Sequence, residues 1–316
     1  MGAGIAALLK GKGFAVATNC QGRSEETIER AKEAGAELLP SDLELVQQCA
    51  VILSVVPPKD AEATAQRVAD ALSGGSQRSE PLYFLELNAV SPSTSRAIES
   101  LFEKARVPVR VIDGCILGGP PVRKAASSAA QQNDVDSNPN DPEWSRPNIP
   151  VSGPHSLSSL PDGERLFKAL NARSIGSNIG AASGLKMCFA AMAKGFTALA
   201  TQSFATAHKL GVADELKKEL TEIMPANLTA AERRVPGMPP KAYRWVREME
   251  EISKTMSEDG GWDPSLFMGV AGVYQAVADD AVLGKEKTGK RSRGTTLDDV
   301  SELLADGLAK KKKKMD

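Results

Sequence analysis

Three groups of residues in this 316-residue chain have types and spacings suited to holding phosphates and small anions. The first is the opening Met1-Gly-Ala-Gly-Ile-Ala-Ala-Leu-Leu-Lys10, which has the form of the second half of a dinucleotide-binding fingerprint. In the full pattern, G-x-G-x-x-G, a buried strand enters a tight turn. Its first two glycines admit a pyrophosphate, and the third lets the next helix pack closely. Gly2 fits only as that third glycine, so the first strand and its Gly-x-Gly are expected to be missing. A Gly/Ala-rich helix without a nucleotide role is the alternative at this point. The second group is Thr18-Asn-Cys-Gln-Gly-Arg-Ser24, where the second strand of such a unit would end. An acidic residue there accepts hydrogen bonds from the ribose hydroxyls of NAD, whereas neutral and cationic groups tolerate the extra phosphate of NADP. Asn19, Arg23 and Ser24 are of the second kind: a guanidinium can grip a phosphate bidentately and a hydroxyl can donate to it. Ser24 is equally a good helix N-cap, and both roles are compatible. The third group is Gly118-Gly119, whose backbone amides can hold an anion.

These groups need a scaffold, and the hydrophobic pattern supplies one. Helical stretches are expected over 2–10, 25–34, 41–48, 61–72 and from Ser91, alternating with apolar runs at 14–18, 37–39, 50–56, 82–88 and 109–113. Uninterrupted runs such as Ala50-Val-Ile-Leu-Ser-Val-Val56 suit parallel strands covered on both faces. Alternating strands and helices imply right-handed βαβ units and one parallel sheet, with ligands at the carboxyl ends of the strands. Those ends are 19–24, 54–58, 88–94 and 113–121. Together with Gly2, Asn19, Arg23 and Ser24, the residues expected to contact cofactor there are Val55, Val56, Pro57 and Asn88. Residues 148–153 and 173–176 complete the strands, flanking a helix at 160–170.

Residues 124–147 break the pattern. They are polar and poor in large apolar side chains, and so are expected to form a mobile surface insertion, or alternatively a segment that orders over substrate. From Gly180 onward the chain is helical. The stretch 181–210 places Leu185, Phe189, Met192, Phe196 and Leu199 on one stripe, with Gly184, Ala190, Ala191 and Gly195 permitting close approach. Further helices are expected over 212–224, 228–234, 239–257, 263–283 and 295–308, the last followed by a lysine run. The expected fold class is therefore α/β, a Rossmann-like, mainly parallel sheet lacking its first strand, followed by an all-α domain on a long interdomain helix. The expected boundaries are 1–179 and 180–316. Trp245, Trp262 and His208 are read as packing residues.

Composition narrows the function classes. A formal charge of −1 gives no electrostatic case for nucleic acid. Cys20, Cys49, Cys115 and Cys188 lack the spacing of a zinc site or a disulfide framework, which suits a reducing, cytoplasmic setting. No apolar run approaches the ~20 residues of a membrane span, and no signal peptide is visible.

Met1-Gly-x-Gly-Ile-Ala, Asn19 with Arg23-Ser24, Leu53-Ser-Val-Val-Pro-Pro58, Asp113 with Gly118-Gly119, and Gly184-Leu-Lys186 carry a resemblance over nearly the whole chain. It resembles the β-hydroxyacid dehydrogenase and 6-phosphogluconate dehydrogenase-like superfamily. Ser152-Gly-Pro-His155 and the segment 180–195 are similar to the subgroup whose helical half is called the phosphogluconate dehydrogenase NAD-binding putative C-terminal domain. The resemblance implies hydride exchange between NAD(P) and a small hydroxy acid or carbonyl compound. It also implies Lys186 as general acid or base, substrate near Gly118 and Gly119, and a homodimer. Without it, Lys186 reads as a lysine snorkelling from an apolar helix. Two positions depart from the family pattern. Leu117 stands where a serine usually precedes the glycines, and Ala190 stands where an asparagine usually follows the lysine by four residues. Both departures point to a less polar or differently shaped substrate and, with the missing strand, leave open a chain that binds cofactor, or dimerises, without turnover.

Overall fold

The Gly/Ala-rich opening folds as helix α1 (Gly2–Gly11) and leads into β1 (Ala17–Thr18), α2 (Glu25–Glu33) and β2 (Glu37–Leu38). Next come α3 (Asp42–Gln48), β3 (Val51–Ser54), α4 (Ala61–Ser73), β4 (Leu82–Glu86), α5 (Pro92–Ala105) and β5 (Val109–Gly114). A short hairpin, β6 (Val122–Arg123) with β7 (Trp144–Ser145), precedes β8 (Ile149–Ser152), α6 (Gly163–Ala169) and β9 (Ala172–Gly176). This computed structural model describes residues 1–75, 78–124, 141 and 143–312, and divides into the units Met1–Lys186 and Met187–Asp316.

Local chemistry sets the helix starts. Ser41 accepts from the Glu44 amide at 3.1 Å at the start of α3, and Ser91 accepts from the Thr94 amide at 3.2 Å ahead of Pro92 in α5. Every residue of β4 is buried, and its side chains alternate between two cores. Tyr83 and Leu85 join Ile5 and Leu9 of α1 and Ile112 of β5. Leu82 and Phe84 join Ala65 and Val68 of α4, Ile98 and Phe102 of α5, and Val111. Burial on both faces explains why β4 reads as a continuous apolar run.

Two features of the sheet differ from expectation. The strands form a five-stranded sheet, β3-β4-β5-β8-β9, and a separate pair, β1-β2, rather than one sheet. The reason lies in β3: Tyr83 N donates to Ala50 O and Leu87 N to Ser54 O, which turns Ala50, Ile52 and Ser54 toward β4. The amides and carbonyls of Val51, Leu53 and Val55 then face the opposite edge, where no described strand pairs with them. Pairing therefore breaks between β1 and β3, where the first strand of the expected pattern would join them. In addition, β8 runs antiparallel to β5. The chain leaves β5 and returns at the same end of the sheet, through the Leu117–Asn148 bridge, so no crossover reverses its direction.

Most of the expected insertion, residues 125–140 and 142, lies outside the described residues. Its far end is firmly packed rather than mobile. Asp141 is 5% exposed and stands 3.1 Å from Lys12 Nζ and 3.2 Å from Arg146 Nε. Arg146 also donates to the carbonyls of Lys168 and Ala169. Trp144 lies against Gly11, where a Cβ would come within 3.0 Å of the indole. These are tertiary contacts that local composition does not reveal.

In the helical part, α7 (Ala181–Leu210) is followed by α8 (Ala213–Ile223), α9 (Pro225–Arg234), α10 (Ala242–Glu258), α11 (Ser265–Ala278) and α12 (Leu297–Lys312). The small residues of α7 pack inward: Ala190, Ala191, Ala198 and Ala205 are buried. The large apolar stripe instead faces out, with Phe189 53%, Met192 79% and Leu199 58% exposed. Trp245 packs as expected, edge-on to Tyr274 at 5.2 Å, while Trp262 and His208 are exposed. Lys194 sits 5.0 Å from the Trp245 ring centroid and pairs with Glu248. No helix among the described residues is long and apolar enough to cross a membrane.

Candidate functional site

The carboxyl ends of β4 and β5 and the first turns of α7 meet at one buried carboxylate. Asp113, in β5, is 0% exposed. Its Oδ1 accepts from Ser95 Oγ at 2.9 Å and Ser183 Oγ at 2.5 Å. Its Oδ2 accepts from Ser152 Oγ at 2.9 Å and from the amides of Gly180, Ala182 and Ser183 at 2.9, 3.0 and 3.1 Å. The strand residue thus caps the N-terminus of α7, satisfying amides that lack an intrahelical partner and placing negative charge at the positive end of the helix dipole. Gly180 precedes the helix at φ 101°, a conformation that favours glycine.

That cap fixes Lys186. Its Nζ donates to Ile116 O at 2.6 Å, two residues before Gly118 in the loop after β5. Burial of the ammonium pushes its pKa below the ordinary lysine value. Cys115 is itself pushed up to about 12 by burial and stays a neutral thiol. Gly118 takes φ 120°, and among the described residues nothing lies within 4 Å of where a Gly119 Cβ would be. Chemically, this is a buried amine with a lowered pKa, bonded two residues before Gly118.

The neighbouring strand ends are tied together by Asn88, which is buried. Its Oδ1 accepts from Val56 N at 2.6 Å, its Nδ2 donates to Ser54 Oγ at 2.8 Å, and its own amide donates to Glu86 Oε1 at 2.9 Å. Asn88 therefore holds the Val55–Pro57 turn in place, and the Val56 amide is already engaged. Beneath it Glu86 is 0% exposed, and its Oε2 has no hydrogen-bond partner among the described residues. Burial pushes the Glu86 carboxyl up to about 7, despite the hydrogen bond from Asn88. The folded state thus holds this proton more tightly than the unfolded chain does. The associated stability is fully present below the ordinary carboxylate pKa and is lost as pH rises through about 7. Glu86→Gln, which keeps an acceptor for Asn88, should be more stable than the parent at pH 8.5 by on the order of 3 kcal/mol, and nearly equal to it at pH 4. Urea melts at the two pH values measure this; a parent and variant with the same pH slope would refute it.

At β1 and α1 the arrangement is looser. Gly2 opens α1, and a Cβ there would lie 3.8 Å from Val55 O, so the helix start faces the β3 turn. Arg23 is exposed, and its side chain has no partner among the described residues. Ser24 precedes α2 as its N-cap and lies 3.1 Å from Thr27 Oγ1 without a side-chain bond to the helix amides. Asn19 is not a free donor: its Nδ2 reaches Asp42 Oδ1 at 2.8 Å and its Oδ1 accepts from Gln21 N at 2.9 Å. The structure thus sets Gly2 beside Val55 and Asn88 beside Val56 and Ser54, while Lys186 reaches the loop that carries Gly118. Pro57, Arg23 and Ser24 have no side-chain bond to these groups among the described residues. Sequence reasoning gave no role to Glu86, Asp42 or Arg67. The one available signal for Glu86 was a carboxylate closing an otherwise apolar strand.

Residues 207–277 match a family model described as a domain of unknown function, DUF1932. An uncharacterised 28.5 kDa protein of Methanothermus fervidus, encoded in the 7S RNA 5′ region, is 26% identical over 207 residues, 66% of this chain and 67% of that protein. The 3-hydroxyisobutyrate dehydrogenase of Mycobacterium tuberculosis, solved with L-serine, superposes with a TM-score of 0.59 at 17% identity, covering 97% of this chain and 95% of that one. A reductive aminase of Aspergillus terreus, in complex with NADPH and ethyl levulinate, gives 0.51 at 17% identity, covering 96% and 94%. The chain has the fold of these dehydrogenase and reductive aminase structures, a mainly parallel α/β unit followed in sequence by helices.

Proposed function

We propose that this chain is an NADP(H)-dependent oxidoreductase transferring hydride between nicotinamide and a small hydroxy acid or carbonyl compound, with Lys186 as general acid or base. The observation that carries this reading is the desolvated Lys186 ammonium, held at 2.6 Å on Ile116 O, two residues before Gly118, by a helix that Asp113 caps. The dehydrogenase and reductive aminase folds named above support the class of chemistry.

The residues at the strand ends fit such a cofactor. Arg23 is exposed, its side chain unpaired among the described residues and suited to a 2′-phosphate, the start of α1 faces the Val55 carbonyl, and the turn Val55–Pro57 is tied by Asn88. When bound, NADPH would supply the hydride. Lys186 would supply the proton to the substrate oxygen in reduction and accept it in oxidation. The Gly118 and Gly119 amides would hold the substrate's anionic or carbonyl group, with Leu117 beside them adding an apolar wall. The exposed Phe189, Met192 and Leu199 of α7 support a homodimer, because apolar faces of this kind mark protein interfaces.

The protein should bind NADPH in a fluorescence titration, oxidise it in the presence of a member of a panel of small ketones and keto acids, and sediment as a dimer. A second reading, a cofactor-binding or dimerising protein without turnover, is favoured by the break in strand pairing between β1 and β3. It predicts NADPH binding, or dimerisation alone, with no turnover on any panel member. Absence of any NADPH binding removes the oxidoreductase reading.

A further inference from the structure

The turn proposed to receive the cofactor's ribose phosphate has a carboxylate beside it. Asp42 opens α3 just beyond β2, and β1 and β2 run parallel, so the turns at their carboxyl ends are neighbours. Asn19, which follows β1, donates to Asp42 Oδ1 at 2.8 Å. The same carboxylate is gripped from α4 by Arg67, with Nε on Oδ2 and Nη2 on Oδ1, both at 2.8 Å. The Asp42 and Arg67 side chains are 24% and 43% exposed, so the pair is near water and within reach of a ligand's field. Arg23 lies four residues beyond Asn19, its side chain unpaired among the described residues.

A bare carboxylate at this end of the sheet would accept from ribose hydroxyls and repel a phosphate, the pattern that selects NAD over NADP. Here both oxygens are occupied and the charge is offset by a planar, bidentate guanidinium. We propose that Asp42 and Arg67 form a specificity-determining pair: Arg67 masks Asp42, so that the carboxylate orients Asn19 without repelling the cofactor's 2′-phosphate. This rests on the NADP reading given above and adds to it a charge from α4 that decides between the two cofactors. Exposed ion pairs contribute little to folding, so removing Arg67 perturbs mainly the field at the turn.

The test is fluorescence titration of NADPH and NADH against the full chain, Arg67→Ala, Asp42→Asn and the double variant, in low salt, with thermal melts as a check on folding. Arg67→Ala should weaken NADPH about tenfold while NADH changes less than about threefold. Adding Asp42→Asn should restore NADPH to within about threefold of the parent, because the residual asparagine keeps an acceptor for Asn19 and carries no charge. The Arg67→Ala defect should also shrink as salt is raised, since screening weakens repulsion from the exposed carboxylate. An unchanged NADPH-to-NADH ratio in Arg67→Ala overturns the pair's role while leaving the NADP reading standing. A double variant as weak as the single one overturns it too, because Arg67 would then act on the phosphate directly. A parent chain that prefers NADH overturns the NADP reading and the masking role together.

Discussion

Asp113→Ala is expected to cost about 3–5 kcal/mol of stability, enough to leave much of the chain unfolded or insoluble. The carboxylate is wholly buried and accepts from three serine hydroxyls and three backbone amides. Removing it takes an acceptor from six donors, of which the Ala182 amide keeps Ser152 Oγ at 3.0 Å, and each buried donor left unmade costs about 1–3 kcal/mol before relaxation. It also removes the one negative charge placed at the positive end of α7. Asp113→Asn tests the same arrangement more gently. It keeps the shape, but one carboxamide group is now an NH2 that must face donors, so a loss of similar sign and smaller size should follow. Chemical denaturation with circular dichroism measures both. An Asp113→Ala protein within about 1 kcal/mol of the parent would mean that the six donors find water, and that the cap is incidental to the helix.

The contrast between Asp113 and Lys186 shows what the chain reveals one residue at a time. Helix starts were legible because their causes are local: Ser41 and Ser91 cap the very helices their sequence announces. The core strands were legible because two-sided burial forces a continuous apolar run, as in Leu82–Glu86. The apolar stripe of α7 was legible as a stripe but not as an outward one. Periodicity identifies a face, and the small residues on the opposite face decided which side packs. The direction of β8 was set by the Leu117–Asn148 bridge, a pairing across thirty residues that no window contains. The same holds for the charges. Asp42 and Arg67 are twenty-five residues apart, and Asn19 and Asp42 twenty-three, so the composition of the turn at 19–24 could not show that a carboxylate stands beside it. Side chains whose partners are local were readable; those whose role depends on a distant strand or helix were not.

Lys186→Ala should lower the rate of carbonyl reduction by about 10²- to 10⁴-fold, the usual contribution of a positioned general acid. Folding should be nearly unaffected, because the change removes a desolvated ammonium together with its single described hydrogen bond, to Ile116 O. NADPH affinity should be preserved as well, since Lys186 sits with the loop after β5 and not with the β1 turn. The combination of intact melting, intact cofactor binding and lost turnover separates a proton donor from a scaffold residue. Lys186→Arg should rescue little: guanidinium keeps the charge but holds its proton far too tightly to exchange it at neutral pH. The pH profile gives the sign. Because burial lowers the lysine pKa, kcat/KM for reduction should fall as pH rises through that lowered value, well before an ordinary lysine would titrate. Oxidation needs the neutral amine and should rise over the same interval. In Lys186→Ala that limb should vanish, and small primary amines added to the assay should restore part of the rate. Turnover that survives the substitution with its pH limb intact would place the proton donor elsewhere. Lys186 would then be a buried strut between α7 and the Ile116 carbonyl, and the lowered pKa a by-product of where the helix cap puts it.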